Sequence, residues 1–121
     1  MMFGESIVKH MLNESHLDHA FAALADPARR AMLARLSRGP ASVSELAQPL
    51  PMSLPAVLQH LKSLEDSGLI RTEKKGRVRT AQMQGNAIAE AEQWLTDRRT
   101  EWEAQADRLE NFLHELQEKG A

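Results

Sequence analysis

Apolar residues recur along this chain at the three- and four-residue spacing of helices, interrupted by one stretch of strand-like alternation. Ile7, Val8, Met11 and Leu12 predict a first amphipathic turn or two over Ser6 to Asn13. Leu17, Phe21 and Leu24 follow at helical spacing. Asp26-Pro27 opens a new helix, because Asp is a strong N-cap and Pro suits the first helical position. Met32, Leu33 and Leu36 form its inward stripe, and Gly39-Pro40 stops it. A short helix is predicted next, with Ser44 as its cap and Leu46, Ala47 and Leu50 on its apolar side; Pro49 and Pro51 limit its length. Ser53 then caps a longer helix in which Pro55 occupies the tolerated first turn. Val57, Leu61 and Leu64 point inward, and Gly68 supplies the left-handed terminal residue. Two helices joined by so few residues have the spacing of a helix-turn-helix.

Leu69–Glu73 and Val78–Met83 predict two short strands around Lys74-Lys75-Gly76-Arg77. Alternation places Arg77 and Arg79 on the face of Ala81 and Met83, and little core lies beneath that face near the tip, so the arginines reach outward. Gly85 to Ala121 is one long helical pattern: Ile88, Ala91, Leu95, Trp102, Ala106, Leu109, Leu113 and Leu116 recur at threes and fours, with a missing step at Arg98 and Arg99. Trp94 and Phe112 widen that stripe. Its apolar face exceeds what so small a domain can cover, which predicts a partner chain. No repeat, low-complexity tract or linker interrupts the pattern, so residues 1–121 read as a single domain. Its core spans about 14–84 and its C-terminal dimerisation helix 86–118.

The chain's 121 residues support one modest core, and 42% hydrophobic with 26% charged residues is ordinary globular composition. No apolar run approaches the roughly 20 residues of a membrane span. The opening MMFGESIVKHMLNES lacks a cationic patch followed by an apolar core, so a cytoplasmic address is expected. There is no cysteine, which excludes disulfides, thiolate metal sites and cysteine nucleophiles together. The net charge of -2 does not point to a polyanionic partner, but its distribution does. From Lys62 to Arg79 six cations face three acids, a net of +3, whereas acids dominate from Asn86 onward.

The outward side of the second helix carries Pro55, Ala56, Gln59, His60, Lys62 and Ser63. Gln pairs bidentately with adenine, and His and Lys reach bases or phosphates. Lys74, Lys75, Arg77 and Arg79 on the hairpin suit phosphate neutralisation or minor-groove contact. The terminal helix would pair two such units, which predicts a near-palindromic site with half-sites one helical turn (~34 Å) or a multiple apart. Singly, these are ordinary packed helices, a solvated turn and a core seam. Their order points to duplex DNA.

The run ALADPARRAMLARLSRGPASVSELAQPLPMSLPAVLQHLKSLEDSGLIRTEKKGRVRTAQM closely resembles the ArsR/SmtB family of winged-helix transcriptional repressors. The match covers about residues 17–84, and its specific parts are the LADPARRAML entry, the SLPAVLQHLKSLEDSGLI block and the KKGRVR wing. The LPAVLQHLK form, followed by a helix bearing Trp94 and Trp102, is similar to a branch that lacks metal ligands. The resemblance implies a mainly α winged helix-turn-helix with a small β-hairpin and a long C-terminal dimerisation helix. It implies a homodimer built from the first and last helices, with Leu17, Phe21, Ile88, Leu95, Trp102, Leu109 and Leu113 in the seam. It implies a recognition helix in the major groove, with Ser53, Leu54, Pro55, Leu58, Gln59, His60 and Lys62 facing double-stranded DNA. Repression of transcription is likewise implied by the resemblance.

Leu58 departs from the pattern, since many members have a small polar residue there; it either contacts a thymine methyl or completes the stripe between Leu54 and Leu61. His60 either touches a base or is a half-buried hydrogen-bonder that fixes the helix. Thiolate sensors of the family carry a cysteine pair before the turn, where this chain has SELAQPL. Asp107, Glu110 and His114 fall at i, i+3 and i+7 on one helical face, as zinc ligands at a dimer axis would, but such a face is more often a solvated polar stripe. His10, His16 and His19 read as surface residues, and no metal or cofactor is expected. No Gly-rich phosphate loop, Ser-His-Asp motif or HExxH indicates an enzyme. Two other readings stay open. One is a winged-helix protein-interaction module, suggested by the acidic terminal helix and by Leu58. The other is a ligand- or metal-responsive repressor with a pocket near Trp94 and Trp102, residues whose simpler reading is seam packing.

Overall fold

The computed structural model describes residues 16–120. The amphipathic turns expected over Ser6 to Asn13, and His10 with them, lie outside the described residues. Helix α1 covers 16–24 as far as it is described. Then come α2 (Pro27–Leu36), β1 (Ala41–Ser42), α3 (Val43–Ala47), α4 (Leu54–Asp66), β2 (Ile70–Lys75), β3 (Val78–Met83) and α5 (Gly85–Gly120). The three strands form an antiparallel sheet in the order β1-β3-β2. This is a winged helix-turn-helix, mainly α, with a small sheet and a long C-terminal helix.

The helix starts follow from capping. The Asp26 carboxylate accepts from the Arg29 backbone N–H at 3.0 Å with Pro27 behind it, and Ser53 Oγ accepts from the Ala56 N–H at 3.4 Å. The cap of α3 is Ser42, not Ser44. Ser42 Oγ accepts from the Glu45 N–H at 3.2 Å, and its hydroxyl donates to Glu45 Oε1 at 3.1 Å. Ser42 is extended because it pairs with Thr80 in the sheet, which is the backbone a cap requires, whereas Ser44 already lies within the helix. The two-residue strand β1 was not foreseen, being too short to show alternation.

Helix α4 ends in a Schellman turn. Gly68 has φ +78°, its N–H bonds the Glu65 carbonyl at 3.0 Å, and the Leu69 N–H bonds the Leu64 carbonyl at 3.1 Å. Leu69 is therefore a buried terminating residue rather than the first of the strand. The hairpin is longer and its turn tighter than predicted. Lys74 and Lys75 pair within the ladder with Arg79 and Val78, leaving Gly76-Arg77 as a two-residue turn. Gly76 at φ +61° occupies the first central position, where a mirror-image turn favours glycine. Arg79 does share a face with Ala81 and Met83, but Arg77 belongs to the turn and not to that alternation.

Met32, Leu33 and Leu36 of α2, Leu46 of α3, and Val57, Leu61 and Leu64 of α4 meet Leu69, Ile70 and Ala81 in one core. Burial of each such large aliphatic side chain is worth about 1.5–3 kcal/mol. Ala87 and Ile88, at the start of α5, pack against this core. The chain divides into two compact units, one ending at Ala91 and one beginning at Glu92. In the second unit every described residue but Thr96 is exposed, and a stripe runs along it through Trp94, Leu95, Trp102, Leu109, Phe112, Leu113 and Leu116. Trp102, at 70%, is the most open of these side chains. No described helix is long and apolar enough to cross a membrane.

Candidate nucleic-acid interface

Two elements of the first unit meet at one groove. The start of α4 supplies Leu54 and Leu58, the hairpin supplies Lys74, Arg77, Val78 and Arg79, and the groove between them is about 380 Å³. The entry of α3 adds Ser42, Val43 and Ser44 to its wall. Pairing of β1 with β3 explains why α3 stands here, since Ser42 is joined to Thr80 of the hairpin and caps α3.

On α4 the inward stripe Val57, Leu61 and Leu64 fixes which positions face out. Ser53, Leu54, Pro55, Leu58, Gln59 and Lys62 are exposed. Neither Gln59 nor Lys62 has a side-chain partner among the described residues. Leu58 stands 42% exposed and outside the core, so it does not complete the stripe between Leu54 and Leu61.

His60 has a different setting from its neighbours. Its side chain is 23% exposed, and Nδ1 lies 3.2 Å from Arg29 Nη1 and 3.9 Å from Asp26 Oδ2. A guanidinium only donates, so the neutral ring can meet it only with Nδ1 as acceptor and its proton on Nε2. This is the half-buried, helix-fixing placement of the two considered from sequence.

The same Arg29 donates through Nε to the Ala23 carbonyl at 2.8 Å and through Nη2 to the Ala22 carbonyl at 3.1 Å. It thus joins the last turn of α1 to the middle of α4. Asp26 completes the cluster. The Arg29 backbone N–H holds its carboxyl below the ordinary carboxylate value; the charges of His60 and Arg29 and the Ala28 N–H add to this, while desolvation opposes it. Sequence inspection missed Arg29, because a reach across 31 positions leaves no trace in spacing.

On the hairpin, Lys74, Lys75 and Arg77 are exposed and have no partner among the described residues. Arg79 is engaged: Nη1 donates to Thr72 Oγ1 at 2.9 Å, and the Thr72 hydroxyl donates to Glu65 Oε1 on α4 at 3.1 Å. Its reach outward is therefore shorter than that of the tip residues.

The seam residues expected from sequence divide by unit. Leu17, Phe21 and Ile88 are half-buried in the first, while Leu95, Trp102, Leu109 and Leu113 are exposed in the second. Asp107, Glu110 and His114 are exposed there too, and among the described residues no group of three His, Asp or Glu side chains gathers as a metal site.

Comparison with known proteins matches residues 24–73 to the family described as a helix-turn-helix domain. The HTH-type transcriptional regulator Rv2034 of Mycobacterium tuberculosis is 46% identical over 72 residues, which is 60% of this chain and 67% of that protein. The crystal structure of the ArsR family transcriptional regulator RHA00566 is 52% identical, covers 74% of this chain and 93% of its own, and superposes with a TM-score of 0.72. The homodimeric winged helix-turn-helix DNA-binding domain Mb0332 of Mycobacterium bovis is 25% identical, covers 77% of this chain and 88% of its own, and gives a TM-score of 0.60.

Proposed function

This chain belongs to the ArsR family of winged helix-turn-helix transcriptional regulators, a DNA-binding family, and on that premise we propose that it is a cytoplasmic homodimeric repressor of a near-palindromic operator. One observation carries the reading: a capped helix, whose Gln59 and Lys62 have no side-chain partner among the described residues, lines a common groove with an exposed cationic hairpin. The N-terminal half of α4 enters the major groove, where Ser53, Leu54, Pro55, Leu58 and Gln59 face the bases. Lys62 and the hairpin cations Lys74, Lys75, Arg77 and Arg79 neutralise phosphates, and the hairpin tip follows the adjacent minor groove. His60 acts chiefly through Arg29, holding α4 at its angle.

Dimerisation is supported by the uncovered stripe of α5 and by the homodimeric state of the Mycobacterium bovis domain. An exposed aliphatic and aromatic stripe from Trp94 to Leu116, about six turns of helix, is what a second copy would cover. Two-fold pairing sets two α4 helices one helical turn (~34 Å) or a multiple apart. Repression follows if the occupied operator overlaps a promoter. No reaction is assigned to the chain.

Selection of bound duplexes from a random DNA pool tests this reading. Enrichment of an inverted repeat is expected, its half-sites spaced by whole helical turns. Recovery of unselected sequence, with retention that depends on salt alone, overturns it.

A further inference from the structure

Three large aliphatic side chains stand on the cationic side of the first unit. Leu54 is 55% exposed, Leu58 42% and Val78 54%. Leu54 and Leu58 are four apart on α4 and so share a face one turn apart. None of the three belongs to the core, where α4 contributes Val57, Leu61 and Leu64. All three line the same groove, whose remaining wall includes Lys74, Arg77 and Arg79 and no carboxylate.

An apolar floor within a cationic rim needs a partner with the opposite layout: anionic around the edge and locally aliphatic inside. The major groove of B-DNA has that layout at thymine, whose C5-methyl is the aliphatic group its base edges present between the phosphate rails. Gln59, next to Leu58 and without a protein partner among the described residues, suits the N6 and N7 edge of adenine.

We infer that Leu54 and Leu58 determine specificity by reading a thymine C5-methyl in each half-site, beside an adenine read by Gln59. The inference rests on the proposed docking of α4 in the major groove and deepens it. A serine or threonine at position 58 would offer a hydroxyl there; leucine offers only area, so discrimination comes from the methyl and not from a hydrogen bond.

The test uses the full chain and the duplex recovered by selection. Each thymine is replaced singly by deoxyuridine, which removes the methyl and nothing else. One or two positions per half-site lose affinity by about fourfold, the equivalent of one buried methyl group. L58A and L54A lose that discrimination at the same positions while keeping their melting temperature, since both side chains are exposed. Replacing the sensitive T·A pair by C·G weakens binding, and 5-methylcytosine at that position recovers about fourfold. Deoxyuridine tolerated to within about twofold at every position, or an effect equal in wild type and both variants, overturns the inference while leaving sequence-specific binding intact. Failure to select any duplex overturns both.

Discussion

Gln59 projects from the exposed side of α4 with an amide that no described side chain engages, while the next residue, His60, turns back to Arg29. Adjacent positions on one helix therefore differ: Gln59 is open to solvent, and His60 ties the helix to Arg29. Gln59→Ala is expected to weaken specific binding by about 1–3 kcal/mol and to relax the preference at one base pair, read by anisotropy titration on matched and mismatched duplexes. Asp26 gives a prediction of a different kind. Its carboxyl is held below the ordinary 3.8, chiefly by the Arg29 N–H, so the ionised form is favoured by folding. That contribution is complete above the unfolded value and is lost as pH falls through the lowered folded value. Asp26→Asn keeps a capping acceptor but removes the charge. Thermal melts from about pH 7 down to about pH 3 should show a shallower acid decline for the variant than for the wild type. Equal slopes would remove Asp26 from the acid limb.

At the scale of elements, the two ends of the hairpin carry the clearest tests. Gly68 ends α4 at φ +78°, and a Cβ there would meet only Ala87 Cβ at an ordinary 3.7 Å. Space is thus available and backbone strain alone decides the outcome. Gly68→Ala is expected to cost about 1–2 kcal/mol, seen as a lower urea midpoint with an unchanged slope. At the other end, Lys75→Ala should weaken binding on every sequence alike and reduce the salt slope by about 1, measured across a series of salt concentrations.

These elements also show what could be read from sequence. Caps at Asp26 and Ser53, the stripe Val57-Leu61-Leu64 and the Gly68 stop were legible because each obeys a local rule. Ser42 was misjudged in favour of Ser44 because its extended backbone comes from a partner strand nearly forty residues away. A separation of 31 positions likewise hid the role of Arg29, and the engagement of Arg79 by Thr72 depends on the hairpin register rather than on spacing. The candidate site was legible as a set of exposed cations and a polar helix face. Its groove was not, since Val78 and Ser44 join it only through the sheet.

For the whole molecule, the deciding property is the uncovered stripe of α5. Leu109 and Leu113 are four apart and both more than half exposed. Replacing both by Glu adds two charges to the proposed seam, in a unit whose side chains lie outside the core of the first. The double variant is expected to sediment as a monomer with the wild-type far-ultraviolet spectrum of the first unit, and to lose cooperative binding to a two-half-site duplex. A monomeric wild type at micromolar concentration, or a dimeric variant, would contradict the pairing.

The short strand β1 has a mechanical consequence. Ser42 is hydrogen-bonded into the sheet beside Thr80 and also starts α3, so the hairpin is anchored at its root and unsupported from Lys75 to Val78. It is built as a cantilever whose clamp is the helix-turn-helix itself. In the proposed complex, bending at that free end would let four residues track a groove whose width varies with base sequence, with α4 held at its angle.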